Sequence, residues 1–208
     1  MHIEFLVEDV SGKVFLEHIL GKFNIGTYKI HPYKGVGKLP KKGSSEKLLT
    51  KQHGLLSNLK KLLEGYGRSS AADVVFVVFD SDDKDPALFE RELQTFYSGL
   101  NQPAEAIFSL AIEEMEAWLL GDMEAVMAAY PKAKSQIIQK YQQDSVCGTW
   151  EILARALNHK PEKLKWHEAG ALKSEWADKI TPLMVLDNNI SPSFIKFRDE
   201  LTRMESLI

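Results

Sequence analysis

Carboxylates in this chain gather where apolar runs stop. The run Val74-Val75-Phe76-Val77-Val78-Phe79 ends in Asp80-Ser81-Asp82-Asp83-Lys84-Asp85-Pro86. Ile3-Glu4-Phe5-Leu6-Val7 ends in Glu8-Asp9, and a third apolar segment leads into Ile112-Glu113-Glu114-Met115-Glu116. Hard divalent cations such as Mg2+ or Mn2+ take carboxylate oxygens. Asp80 and Asp82 are therefore candidate metal ligands, Glu116 would complete the set, and Glu113 is an additional candidate. Each has a plainer reading beside this one. For Asp80 and Asp82 it is a solvated acidic turn before a helix, which the metal reading outweighs; Asp83 is a weaker candidate; and first-turn glutamates simply favour a helix dipole. Asp85 before Pro86 reads as an N-cap followed by proline at the first helical position.

The elements that must position these groups follow from the apolar patterns. Residues 74–79 show no alternation, so both faces of that strand should be covered, as in the middle of a parallel sheet flanked by helices. Ligands of such sheets sit beyond the carboxyl ends of the strands, where Glu8 and Asp80 stand. Further strands are expected over residues 3–7, 27–33 and 105–111. Helices are expected over 12–23 with Ser11 as cap, from Ser44 or Ser45 to residue 64 with a break at Gly65-Tyr66-Gly67, and over 87–97. On a helix after the third acidic segment, Glu113 and Glu116 would share a face while Met115, Trp118 and Leu119 pack inward. Beyond Asp122 the patterns are helical only, over 123–129, 136–141, 149–157, 169–184 and 192–205, the last announced by Ser191-Pro192. The expected fold class is α/β: a mostly parallel sheet flanked by helices over residues 1–121, with a helical C-terminal subdomain over 122–208 packed on it.

Composition narrows the setting. Of 208 residues, 44% are hydrophobic and 26% charged, which argues against wholesale disorder. The single cysteine, Cys147, excludes an intramolecular disulfide, and the six histidines lack paired ligand spacing, so a zinc centre is not expected. Without a leading signal-type segment or an apolar run of bilayer length, the expected location is the cytoplasm, with no membrane partner. The net charge of −3 does not advertise nucleic-acid binding, yet residues 34–51 hold six lysines against the single acid Glu46. That loop is either a solvated linker or a contact for a phosphate backbone, with Lys38 the candidate phosphate ligand. Gly37-Lys38 is not a phosphate-binding P-loop, because Pro32 stands where its first glycine belongs and Leu39 where it needs Ser or Thr.

Taken in order, Val7-Glu8-Asp9-Val10-Ser11, Phe79-Asp80-Ser81-Asp82 and the block from Ile112 through Glu116 to Leu120 resemble the Toprim domain of topoisomerases, primases and overcoming-lysogenization-defect nucleases. With Lys173-Ser174-Glu175-Trp176-Ala177 and Asn189-Ile190-Ser191-Pro192-Ser193-Phe194 added, the chain more closely resembles a Toprim-like bacterial family of uncharacterised function. That family is related to toprim effectors that accompany ATPases in phage defence. The blocks cover nearly the whole chain. The resemblance implies a Toprim-like fold, Glu8 as general acid/base of phosphoryl transfer, Asp80 and Asp82 as Mg2+ ligands, and Lys173 as a phosphate contact. The implied function is metal-dependent cleavage of DNA or RNA, with a separately encoded ATPase as a further partner. The Toprim pattern places glycine after its first glutamate; Asp9 stands there instead, where it would crowd a substrate backbone or add a ligand.

Two other functions compete. One is a non-catalytic Toprim-like subunit that docks an ATPase partner through the same acidic pocket and helical cap. The other is a phosphatase with Asp80 as covalent nucleophile, because an apolar strand followed by Asp-x-Asp also opens haloacid-dehalogenase sites. Those sites continue with glycine and threonine near the amino terminus, whereas Asp83-Lys84 follow here, well into the chain. This reading ranks third.

Overall fold

A computed structural model describes residues 1–40 and 54–207. Its four strands, β1 (His2–Val7), β2 (Thr27–Pro32), β3 (Val74–Asp80) and β4 (Ala106–Ala111), form one all-parallel sheet in the order β2-β1-β3-β4. The described helices are α1 (Val10–Ile19), α2 (Leu55–Ser69), α3 (Pro86–Ser98), α4 (Glu116–Leu120), α5 (Met123–Ala129), α6 (Ser135–Ile138), α7 (Thr149–Ala156), α8 (Trp166–Ile180) and α9 (Pro192–Glu205). The fold is therefore α/β, with helices on both faces of the sheet.

The strand side chains alternate between two buried layers, the period-two consequence of strand geometry. Ile3, Phe5, Val7, Val74, Phe76 and Val78 face α1 and the C-terminal helices. Leu6, Val75, Val77 and Phe79 face Leu55, Leu59 and Leu63 of α2 and Phe89 and Leu93 of α3. The apolar layer on the first face runs on without interruption into Trp176, Ile180, Phe194 and Phe197. Phe197 of α9 stacks on Trp118 at 4.8 Å between ring centres and meets Phe76 of the central strand edge-on at 5.7 Å. Such pairs add about 0.5–1.5 kcal/mol to the gain from burial. They hold the C-terminal helices on the sheet.

Parallel register brings the acid-bearing ends to one edge. Val7 pairs with Val78 and Asp80 with Ala111, so the residues just beyond β1, β3 and β4 emerge together.

Several elements differ from the sequence expectation, each for a visible reason. Helix α1 starts at Val10 because Asp9, not Ser11, is its cap: the Asp9 carboxylate accepts the Gly12 N–H at 2.8 Å and the Ser11 hydroxyl at 2.8 Å. Helix α2 does not break at Gly65 or Gly67 but continues to Ser69. A Cβ at Gly67 would collide with the Gln102 carbonyl, so this glycine serves close approach to a neighbouring loop and not a turn. The helix ends one residue later, at Ser70 in the left-handed region with φ 48°. Helix α8 begins at Trp166, ahead of the expected 169, and gives way at Thr181 to a 3-10 turn containing Pro182. Asp85 and Ser191 cap α3 and α9 as read from their Asp-Pro and Ser-Pro pairs. The caps expected at Ser44 or Ser45, the apolar positions Leu48 and Leu49, and Lys41, Lys42, Lys47 and Lys51 lie outside the described residues. Among the described residues no helix is long and apolar enough to cross a membrane.

Candidate functional site

Glu8 lies one residue beyond β1 and Asp80 is the last residue of β3, on adjacent parallel strands. The two meet directly: the Glu8 carboxylate accepts the Asp80 backbone N–H at 3.0 Å. Ser81, fully buried, ties this edge to the segment after β4. Its N–H donates to the Ala111 carbonyl at 2.9 Å, and its hydroxyl accepts the Glu113 N–H at 2.8 Å. Asp82 follows in the left-handed region with φ 50°, its side chain exposed and 3.7 Å from the Lys84 ammonium.

Helix α4 turns Glu116 inward, only 3% exposed, with Glu114 half-buried beside it. Lys173 reaches in from α8 and sets its ammonium 3.0 Å from Glu114 and 3.3 Å from Glu116, below the ring of Trp150 at 5.9 Å. Lys173 is thus clasped by Glu114 and Glu116, and its charge is also felt by Glu8 and Asp80.

The charge balance of this cluster shows in its titration. Burial pushes the Glu8 carboxyl up to about 7, helped by the Asp82 and Asp9 carboxylates and opposed by the Asp80 N–H and by Lys173. Burial, then Glu8 and Glu116, holds Asp80 well above the usual carboxylate range. Burial and Glu116 raise Glu114 to about 7 against the pull of Lys173. Burial acts to lower the Lys173 ammonium, but Glu116, Glu114 and Asp80 outweigh it and keep the charge in place. One ammonium is too little positive charge for this many carboxylates.

A divalent cation is what the resemblance implies here, and the donor set decides whether it fits. Among the described residues no three His, Cys, Asp or Glu side chains stand close enough together to hold a metal ion. Magnesium, however, keeps several of its waters and is commonly held by one or two carboxylates plus substrate phosphates. Asp80 is a half-buried carboxylate at this edge, and Asp82, two residues on, is exposed beside the Lys84 ammonium. The described residues do not form a closed protein cage for a metal.

The other sequence candidates take different places. Glu113 does not share a helix face with Glu116, because α4 begins only at Glu116 and Glu113 adopts φ 59°. Its carboxylate turns away to the start of α7, accepting the N–H groups of Gly148 at 2.8 Å, Thr149 at 2.9 Å and Cys147 at 3.1 Å, and the Thr149 hydroxyl. Burial works to raise this carboxyl, but the Thr149 hydroxyl and the backbone donors prevail and hold it below the usual range. Asp9 spends its oxygens on the cap of α1. Lys38 is exposed and anchored by its backbone to the Ser57 hydroxyl. The loop that carries it is rooted beside Glu8, where Gly35 N–H donates to the Glu8 carbonyl at 3.1 Å. Glu114 is the cluster member that sequence reasoning missed. Its one signal was the doubled glutamate before Met115, whose direction depends on the left-handed turn at Glu113.

Compared with known proteins, residues 7–202 match the model of a family described as Domain of unknown function (DUF4276). No curated protein and no solved structure matches the chain.

Proposed function

Because the chain belongs to this DUF4276 family, whose description assigns no chemistry, we propose, from the resemblance to Toprim domains together with the site's geometry, that it is a metal-dependent nuclease of Toprim type, cleaving phosphodiester bonds of DNA or RNA. The observation that carries the reading is the meeting of Glu8 and Asp80 at the carboxyl ends of adjacent parallel strands, with both carboxyls raised. A carboxyl near 7 both takes and gives protons at neutral pH, which is what a general acid/base requires. Protonated Glu8 would give its proton to the leaving oxygen as that P–O bond breaks, while an attacking water on the opposite side forms the new P–O bond and releases a proton to solvent. Asp80 and Asp82 would hold Mg2+ or Mn2+, which when bound supplies charge neutralisation at the nonbridging oxygens of the scissile phosphate. Lys173, kept charged by its glutamates, would donate a hydrogen bond to a phosphate oxygen. The resemblance to effectors that accompany ATPases supports a separately encoded ATPase partner, and the lack of a membrane-spanning helix among the described residues is compatible with a cytoplasmic setting.

A second reading rests on the Lys173 clasp. An ammonium that neutralises Glu114 and Glu116 from inside is also what a purely structural ion pair looks like, and it favours a non-catalytic subunit that docks an ATPase. Incubation of the purified protein with Mg2+ or Mn2+ and mixed DNA and RNA, with and without an ATPase encoded beside it, separates the two. The nuclease reading predicts cleavage that Glu8→Gln and Asp80→Asn abolish. Wild-type protein that cleaves nothing in either condition, yet binds the ATPase, would replace it with the docking reading.

A further inference from the structure

Trp166, the first residue of α8, is 87% exposed. Tryptophan is enriched at binding interfaces relative to the rest of a protein surface. Its ring is not adrift: the His167 ring meets it edge-on at 5.7 Å and 85°. The stretch before it is basic. Over residues 155–167, Arg155, Lys160, Lys163 and Lys165 stand against Glu162 alone, in a chain whose net charge is −3. All four cations are exposed. The next acid, Glu168, is turned back to accept the Lys165 N–H at 2.7 Å.

Helix geometry links this patch to the acidic cluster. Trp166 and Lys173 are seven residues apart, so they lie within ~20° of one face and ~10.5 Å apart along the axis. Ala169 and Gly170 occupy the same face between them. A Cβ at Gly170 would meet nothing within 4 Å, so packing inside the protein does not require glycine there. A glycine inside a helix nonetheless costs about 1 kcal/mol relative to alanine. Along this face Trp166 and Gly170 are exposed and Ala169 and Lys173 partly so.

An indole face beside exposed cations matches a polyanion whose flat rings are free to stack, and single-stranded nucleic acid has that chemistry. A duplex hides its ring faces, and a partner helix would meet lysines where it needs apolar neighbours. We propose that Trp166 with Lys160, Lys163 and Lys165 forms a stacking and phosphate-contact platform that binds single-stranded DNA or RNA and leads it along α8 toward Lys173 and the Glu8–Asp80 edge. Only the fate of the strand at that edge rests on the nuclease reading; the binding does not.

The test is anisotropy of a labelled single-stranded oligonucleotide, about a dozen nucleotides of DNA and its RNA counterpart, titrated with full-length protein in EDTA so that cleavage plays no part. Wild type binds, Trp166→Ala weakens binding about tenfold, and Trp166→Phe retains most of it. Lys163→Gln with Lys165→Gln lowers the salt slope of log affinity by about 1.4. Wild-type binding that Trp166→Ala leaves unchanged would overturn the platform while leaving the nuclease reading intact. Absence of oligonucleotide binding, with self-association that Trp166→Ala disperses, would overturn it in favour of a second copy of this chain. Binding through Trp166 without Mg2+-dependent cleavage would uphold the platform and remove the nuclease.

Discussion

Removing the Lys173 ammonium would leave Glu114 and Glu116 facing each other, the Glu116 side chain only 4% exposed. Breaking a buried pair from one side costs about 3–5 kcal/mol. Lys173→Met should therefore destabilise the protein by about 3 kcal/mol at pH 8 and by clearly less at pH 5, where Glu114 takes up a proton. Urea unfolding at the two pH values measures both. Glu8 gives a second prediction at this scale. Its carboxyl titrates near 4.5 in the unfolded chain and about 7 in the folded one, so folding binds a proton between those values. Stability from this group is fully present below about pH 4.5 and is lost as the pH rises through 7. Without divalent cations, the thermal midpoint should fall between pH 5.5 and pH 8, and Glu8→Gln should flatten that fall. An unchanged slope in the variant would show that Glu8 is not the group responsible. Glu8 and Asp80 were legible from the sequence because each directly follows an apolar run. The inward turn of Glu114 was not, since a single left-handed residue at Glu113 decides it.

Among the elements, α7 depends on a side chain from another segment. The N–H groups at its start are received by Glu113, and Trp150 N–H by Glu114 at 3.1 Å. Glu113→Ala should cost about 1–3 kcal/mol, the price of unmet buried donors; Glu113→Gln should recover part of it. Native-state hydrogen exchange at residues 148–152 reads the effect locally, and protection there that the alanine variant leaves unchanged would refute the assignment. Sequence spacing put Glu113 on a helix face with Glu116 because i, i+3 positions in a continuous helix must be neighbours. That arithmetic fails when the helix starts three residues late. The strands were read more securely, because β3 is apolar from Val74 to Phe79 and leaves no choice of face. Gly67 misled in the opposite direction, since glycine signals a break and a close approach in the same letter.

For the molecule as a whole, one uninterrupted apolar layer joins the sheet to the C-terminal helices through Phe76, Trp118 and Phe197. Phe197→Ala should cost about 3–5 kcal/mol. Unfolding followed by circular dichroism and by tryptophan fluorescence should stay coincident in this variant, as a single cooperative unit requires. Separate transitions would mean that the C-terminal helices unfold on their own. The same packing fixes the edge where Glu8, Asp80, Glu114, Glu116 and Lys173 meet. The proposed function requires that this edge, at pH 8, carry negative charge that a divalent cation would neutralise. The direct measurement is the thermal midpoint of wild type and Asp80→Asn at pH 8, with and without millimolar Mg2+. Neutralising one of several mutually repelling carboxylates should stabilise the metal-free protein by about 1 kcal/mol, or roughly 2–4 °C. Wild type should gain stability on adding Mg2+, and the variant should not, having lost an anionic ligand. A wild type indifferent to Mg2+, or a variant that responds as fully as wild type, would contradict the account.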